Sequence, residues 1–260
     1  MRAPRSRPRA KSSLHAALQE VYSREGGKTE AKVGDFRVDV LKGDLITEIQ
    51  IAGLYKIKQK VRVLLLMGYK VKVVVPLQSV LVEPGGTKNR DQRYKIFQEL
   101  SHFVDVFPAP GLEVDFLMLK ELRTWKKVKS GRHYVVPKGF MKRDTVPLAV
   151  IEEVRLREAH DLLKLIDIPD EKFTARGLAL RAGLSRRTAS RACYVLKRTG
   201  VLNVEGMIGR AYLYRLAASP QPNSDTSRIL ISNVHHRGFP LNVYALALRP
   251  FVTSRAARAV

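Results

Sequence analysis

The 260-residue chain holds a single cysteine, Cys193, and a single tryptophan. One cysteine excludes disulfide frameworks, zinc fingers and cysteine-held iron–sulfur clusters, and it fits a reducing, intracellular setting. Acidic residues are also scarce. Asp and Glu number 24 against 47 Lys and Arg, which leaves a formal net charge of +23 and a pI near 10.4. A basic surplus spread from end to end asks for a polyanionic partner, with nucleic acid ahead of an anionic membrane surface, and so for a cytoplasmic, nucleoid-associated protein. No apolar run approaches the ~20 residues that span a bilayer. The first twelve residues carry Arg2, Arg5, Arg7, Arg9 and Lys11 without an apolar stretch, so they read as a flexible basic arm and not as a secretory signal. Histidine forms no constellation: His15, His102, His133 and His160 stand isolated, and His235-His236 lie in a tail without clear period.

What is present is an α/β pattern. A helix from Ser13 places Leu14, Ala17, Leu18 and Val21 on one face and stops at Gly26-Gly27. Two β-rich runs, Phe36 to Leu41 and Leu45 to Ile51, flank the two-residue turn signal Gly43-Asp44. Leu54, Ile57, Val61 and Leu64 mark a second helix ended by Gly68, and Val71 to Val75 a buried strand closed by Pro76. That order predicts a mixed central sheet flanked by helices. Asp91 to Val104 reads as a third helix with Ile96, Phe97, Leu100 and Phe103 inward. Glu113 to Trp125 reads as a strand with Val114, Phe116 and Met118 on one side. Lys126 to Lys129 and Lys138 to Arg143 read as basic loops, open to phosphate contact or to plain solvation. Leu156 to Ile166 reads as a helix.

The hairpin register sets Lys42 against Leu45 and therefore Asp39 against Glu48, with Gln50 two residues further along. Cross-strand neighbours lie ~4.5–5.5 Å apart at Cβ, and like charges there destabilise a sheet. A hard divalent cation such as Mg2+ or Mn2+, bound by both carboxylates and keeping several waters, would offset that cost.

Towards the C-terminus, Thr174 to Ala182 is a short helix, Gly183-Leu184-Ser185 a turn, and Ser185 the N-cap of a helix reaching Thr199, where Gly200 ends it. Two strands around Gly206 and Gly209 follow, completing a winged helix-turn-helix. Ala189, Cys193 and Leu196 fall at inward spacing, so Cys193 is core filler. Arg186, Arg187, Ser190, Arg191 and Tyr194 remain outward to read base edges, while Lys197, Arg198 and Arg210 are placed for phosphates. A solvated Arg-rich face or a protein-contact surface are the alternatives.

The segment from Leu14 to Leu77 resembles the PD-(D/E)XK nuclease superfamily, whose core is that of the restriction endonucleases. A helix acid at Glu20, the acid of "RVDVLKGD" at Asp39 and the "TEIQ" run at Glu48 and Gln50 carry the likeness. The resemblance implies that Asp39, Glu48 and the carbonyl of Ile49 ligate the metal and that Glu20 is an outer-shell acid. Gln50 stands where superfamily members usually carry lysine; it can orient a water but cannot titrate. "KIKQK" on the next helix offers Lys58 as the better replacement and Lys60 as the second. The stretch from Leu14 to about Leu216 also looks like a prokaryotic family that joins such a core to a winged helix, on "GDLITEIQ", "IKQK" and "GRAYLYR".

The expected organisation is a basic arm (1–12), a nuclease-like domain (13–150, core 13–77), a winged helix-turn-helix (151–218), then a linker and tail (219–260). The expected activity is metal-dependent hydrolysis of phosphodiester bonds in DNA, with duplex DNA as partner, no membrane, and a homodimer open to the chain as it is to many superfamily members. The alternatives are a non-catalytic DNA-binding regulator on a degenerate scaffold, and a basic structural protein of membrane or ribosome surfaces.

Overall fold

The computed structural model describes residues 13–218 except 25, 84–85, 90–91 and 128–139. Its centre is a seven-stranded mixed sheet of order β1-β2-β3-β4-β6-β7, with β5 paired to the far half of β4. The strands are β1 (Lys28–Val33), β2 (Phe36–Lys42), β3 (Leu45–Ile49), β4 (Lys70–Glu83), β5 (Gly86–Asn89), β6 (Leu112–Lys127) and β7 (Phe140–Leu156). β3, β4 and β6 run parallel; the other neighbours are antiparallel.

Helices cover both faces. α1 (Ser13–Ser23) lies on one, where Leu14, Leu18 and Tyr22 meet Ile49, Val74, Leu117 and Leu119. α2 (Lys58–Leu66) and α3 (Lys95–Leu100) lie on the other, where the alternate residues Val71, Val73 and Val75 of β4 and Val114, Phe116 and Met118 of β6 form the larger core with Phe97, Phe103 and Phe107. The period-2 alternation of these strands assigns one set of side chains to each layer.

Several expected elements take a different form. Lys28–Val33, too charged to read as a strand, pairs along β2 at the sheet edge, where charged side chains face water. Val21 is exposed, and Tyr22 takes its place against the sheet. The second helix begins as a 3₁₀ turn at Leu54–Lys56 and becomes α-helical only at Lys58. β4 does not stop at Pro76 but continues to Glu83. The Val74 carbonyl receives the Gln50 N–H from the β3 side. Two residues on, Pro76 therefore turns its missing donor to that same side, where β3 has ended, and no ladder bond is lost. The third helix is the shorter Lys95–Leu100, with Ile96, Phe97, Leu100 and Phe103 fully buried; Asp91 lies outside the described residues. The supposed basic loop near Arg143 is strand from Phe140, and the supposed helix from Leu156 is the end of β7 followed by a 3₁₀ turn, Ala159–Lys164. The intervening loop around Gly131 and Gly139, and with it His133, lies outside the described residues, as do the arm 1–12 and the tail from 219.

Beyond β7, α4 (Ala175–Arg181) and α5 (Arg186–Arg198) pack together and lead into the hairpin β8 (Leu202–Ile208) and β9 (Ala211–Leu216). α5 also packs on α3, and Ala192, Cys193, Val195 and Leu196 join the larger core. The two halves of the chain thus share one apolar interior, and β7 runs through residue 150. Among the described residues no helix is long and apolar enough to cross a membrane.

Candidate functional site

The β2–β3 ladder pairs Lys42 with Leu45, Leu41 with Ile46 and Val40 with Thr47, and backbone pairing then stops. At the next position side chains take over. Asp39 Oδ2 accepts the Ile49 N–H at 2.9 Å, and the Asp39 N–H donates to Glu48 Oε1 at 3.3 Å. Each carboxylate stands where a strand carbonyl would have been, which satisfies the donors of the opening strands and holds both acids in the gap.

α1 closes one side of this gap. His15 Nε2 lies 3.2 Å from Asp39 Oδ2, and Gln19 Nε2 donates to the Asp39 carbonyl at 2.7 Å and to Glu30 Oε1 at 2.9 Å. His15 and Gln19 are one helical turn apart and so reach the same spot. α2 closes the other side: Lys60 Nζ donates to Glu48 Oε2 and to the Arg37 carbonyl, each at 2.6 Å. Glu48 is only 4% exposed. Burial pushes its pKa above the usual carboxylate range, the Lys60 ammonium pulls against that rise, and Asp39 adds to it.

Two carboxylates against one ammonium leave an excess of hard oxygen donors in a shielded place. Asp39 and Glu48 are the residues that could hold a divalent cation here, with water completing its shell. No third His, Cys, Asp or Glu side chain joins them as a ligand cluster among the described residues.

The other expected members lie elsewhere. Glu20, one residue round the helix from Gln19, is in solvent and paired with Arg24 at 3.2 Å. Gln50 turns its amide away, donating to the carbonyls of Ala52 at 2.5 Å and Gly53 at 3.2 Å. Lys58 Nζ is 2.6 Å from Asp105 Oδ2, which also faces Arg62 and Arg198. The structure therefore gathers Asp39, Glu48 and Lys60, with His15 and Gln19 behind Asp39. His15 is not isolated, contrary to the sequence reading. Its signal was available: it and Gln19 follow directly on the buried Leu14 and Leu18, so they border the covered stripe of α1.

In the second half, Ser185 Oγ accepts the Thr188 N–H at 3.1 Å and caps α5. Ala189, Cys193 and Leu196 are fully buried, and burial pushes the Cys193 thiol up to about 12, which leaves it inert. Arg186, Arg187, Ser190, Tyr194 and, at the turn of the β8–β9 hairpin, Arg210 are exposed. Arg191 is half-buried and donates to Gln98 Oε1 of α3 at 3.0 Å. Lys197 sits 5.0 Å over the Tyr212 ring.

A second charged cluster lies on the α1 face of the sheet. Lys72 Nζ stands 2.6 Å from Glu113 and 3.2 Å from the fully buried Asp115, with Arg155 3.5 Å from both acids. Burial pushes the Asp115 carboxyl up to about 6 against the pull of Lys72. A cavity of about 1000 Å³ opens nearby at the starts of β3, β4 and β6, and neither Asp39, Glu48 nor Lys60 lines it.

A family model described as a domain of unknown function, DUF8091, matches residues 12–157, more than half of the chain and the whole of the seven-stranded sheet. No curated protein and no solved structure matches.

Proposed function

We propose that this chain, which belongs to the DUF8091 family, is a divalent-metal-dependent nuclease of the PD-(D/E)XK type that hydrolyses phosphodiester bonds in DNA. The observation that carries the reading is the mutual lock of Asp39 and Glu48 in the gap between β2 and β3, with Lys60 on the second acid. Isolated rim acids would not be shielded as the buried Glu48 and half-buried Asp39 are, would not satisfy each other's strand, and would not sit beside a lysine from the next helix.

Asp39 and Glu48 would hold a magnesium- or manganese-like ion, which when bound lowers the pKa of a water and offsets charge on the phosphate. Lys60 supplies what Gln50 cannot. Its ammonium already stands at the acid pair, where it attracts the scissile phosphate and can orient the attacking water. His15 and Gln19 fix Asp39 from behind, so its carboxylate keeps its direction as substrate enters. Gln50 is a structural member that ties down the loop after β3. In this reading α4, α5 and the β8–β9 hairpin form a winged helix-turn-helix that presents Arg186, Arg187, Ser190 and Tyr194 to DNA, with Arg210 on the backbone. The shared core under α5 makes that module a fixed guide for the acid pair.

A second reading, a DNA-binding regulator on a degenerate nuclease scaffold, draws on Gln50 turning to the Ala52 and Gly53 carbonyls and on the absence of a third acid among the described residues. Incubating the parent and Glu48→Ala with plasmid and single-stranded DNA in magnesium or manganese separates the two. Cleavage by the parent alone, with DNA binding kept by both, supports the nuclease. Binding by both without cleavage supports the regulator. Binding insensitive to salt contradicts both, because phosphate contacts release counterions.

A further inference from the structure

A space of about 450 Å³ opens between α5 and the segment around the Leu54–Lys56 turn, lined by Tyr55, Lys58, Ser101, His102, Asp105 and Tyr194. Tyr55 is 58% exposed and Tyr194 40% exposed, although each is large enough to have been buried at little cost. The Tyr55 and His102 rings meet edge to face, with centroids 6.3 Å apart at 74°. The volume lies within the range of small-molecule sites, and the walls are three rings, the Ser101 hydroxyl and the Lys58–Asp105 ion pair.

The position of Tyr55 is built. Its ring lies against Gly53, where a Cβ would be 2.7 Å from Tyr55 Cε1; Gly53 also has φ +74, which a side chain resists. The Gly53 and Leu54 N–H groups both donate to Glu99 Oε2 of α3, at 3.1 and 3.2 Å, and the Gly53 carbonyl accepts from Gln50. Gln50 is two residues beyond Glu48, so one short loop joins the acid pair to the ring. Across the space, Tyr194 shares a face of α5 with Arg187 and Ser190 at i, i+3 and i+7. The negative Asp105 in the wall is neutralised by Lys58, Arg62 and Arg198; burial works to raise its pKa, but these cations outweigh it.

We propose that this space is a stacking slot for one unpaired nucleobase, held between Tyr55 and Tyr194 with His102 at its edge, so that the preferred substrate is DNA with a single-stranded stretch beside a duplex. The proposal rests on the nuclease reading and adds to it a substrate class. Two exposed tyrosines, one with the Lys56 ammonium 5.9 Å from its ring centroid, within a strongly basic protein match single strands, because every base offers a π-face and the phosphates meet positive charge. A duplex on the α5 face keeps its bases stacked and leaves the slot empty. An unpaired base next to it can turn in, which places the adjoining backbone on the side of the Gln50 loop that leads to Asp39 and Glu48. Gln50 and Gly53 act here as positioning residues.

The test compares the parent with Tyr55→Ala, Tyr194→Ala and Tyr55→Phe on a short single strand carrying 2-aminopurine, on the matching duplex, and on a duplex with a single-stranded overhang, in calcium so that nothing is cut. The expected result is quenching of 2-aminopurine by the parent and by Tyr55→Phe. Both alanine variants should lose about 5- to 100-fold in affinity for the single strand and the overhang; duplex affinity should be unchanged in Tyr55→Ala and should fall by less than single-strand affinity in Tyr194→Ala. Unchanged single-strand affinity in both alanine variants overturns the slot and leaves the nuclease reading standing, as does an equal loss on all three DNAs. Failure of the parent to bind any of them overturns the slot and the nuclease reading together.

Discussion

Removing the ammonium of Lys60 isolates a carboxylate that the fold has buried. Lys60 Nζ is 2.6 Å from Glu48 Oε2, and Glu48 is 4% exposed. Breaking a buried pair from one side costs roughly 3–5 kcal/mol, because the remaining charge stays desolvated. Lys60 is itself partly solvated, so the low end, about 3 kcal/mol, is expected for Lys60→Met near pH 8. A domain of this size loses roughly 2–4 °C of Tm per kcal/mol, so the midpoint should fall by about 6–12 °C. The sign of the pH dependence follows from Glu48. Its folded pKa lies above the unfolded one, so the native state binds the proton more tightly. Its contribution is therefore most favourable below the unfolded value of 4.5 and is lost as pH rises through the folded pKa. Without Lys60 that pKa rises further. The variant should then be close to parental at about pH 5 and clearly weaker at about pH 8. In a Glu48→Gln background the same substitution should cost less than about 1 kcal/mol. Thermal unfolding of the four proteins at two pH values reads all of this. An equal loss at both pH values, or an equal loss with and without Glu48, refutes the reasoning.

Two further outcomes test the rest of the framework. The Asp115 carboxyl rises from 3.8 to about 6, so the native state gains on protonation, and stability contributed by this group is lost between those values as pH rises; a change of about two pH units corresponds to about 3 kcal/mol. Asp115→Asn should flatten that part of the stability–pH curve measured by denaturant unfolding, and an unaltered curve contradicts it. Ser185→Ala removes the acceptor for the Thr188 N–H and should cost about 1 kcal/mol in the same assay, whereas Ser185→Asp should cost little.

The legible and illegible parts of the site differ for physical reasons. The Gly43-Asp44 turn fixes the register through Lys42 and Leu45, and with it the meeting of Asp39 and Glu48, because a hairpin leaves no freedom once its loop length is set. The helices are less forgiving, since one residue is ~100° of rotation. Gln19 faces the site and Glu20 the solvent, although the acid carried the family resemblance. A 3₁₀ turn at Leu54–Lys56 likewise shifts the phase of α2, so Lys60 reaches Glu48 and Lys58 reaches Asp105. Position 50 could be read for its chemistry but not for its direction, because Gln50 binds carbonyls of a loop whose shape Gly53 decides. β1 and β7 carry no clear strand signal because edge strands mix charges with apolar residues, which blurs a period of two. The apolar face of α5 was plain, yet its second contact with α3 was not, since Ala192 and Val195 look like ordinary helix residues until a neighbour covers them.

Manganese uptake followed by electron paramagnetic resonance tests the proposed joint ion site most directly, because it needs neither substrate nor turnover. The parent should bind the ion, and both Asp39→Asn and Glu48→Gln should weaken binding by more than about 10-fold, while Glu20→Gln should bind as the parent does. Equal uptake by the parent and the two site variants, or none by the parent, would contradict the assignment of a metal to this pair of carboxylates.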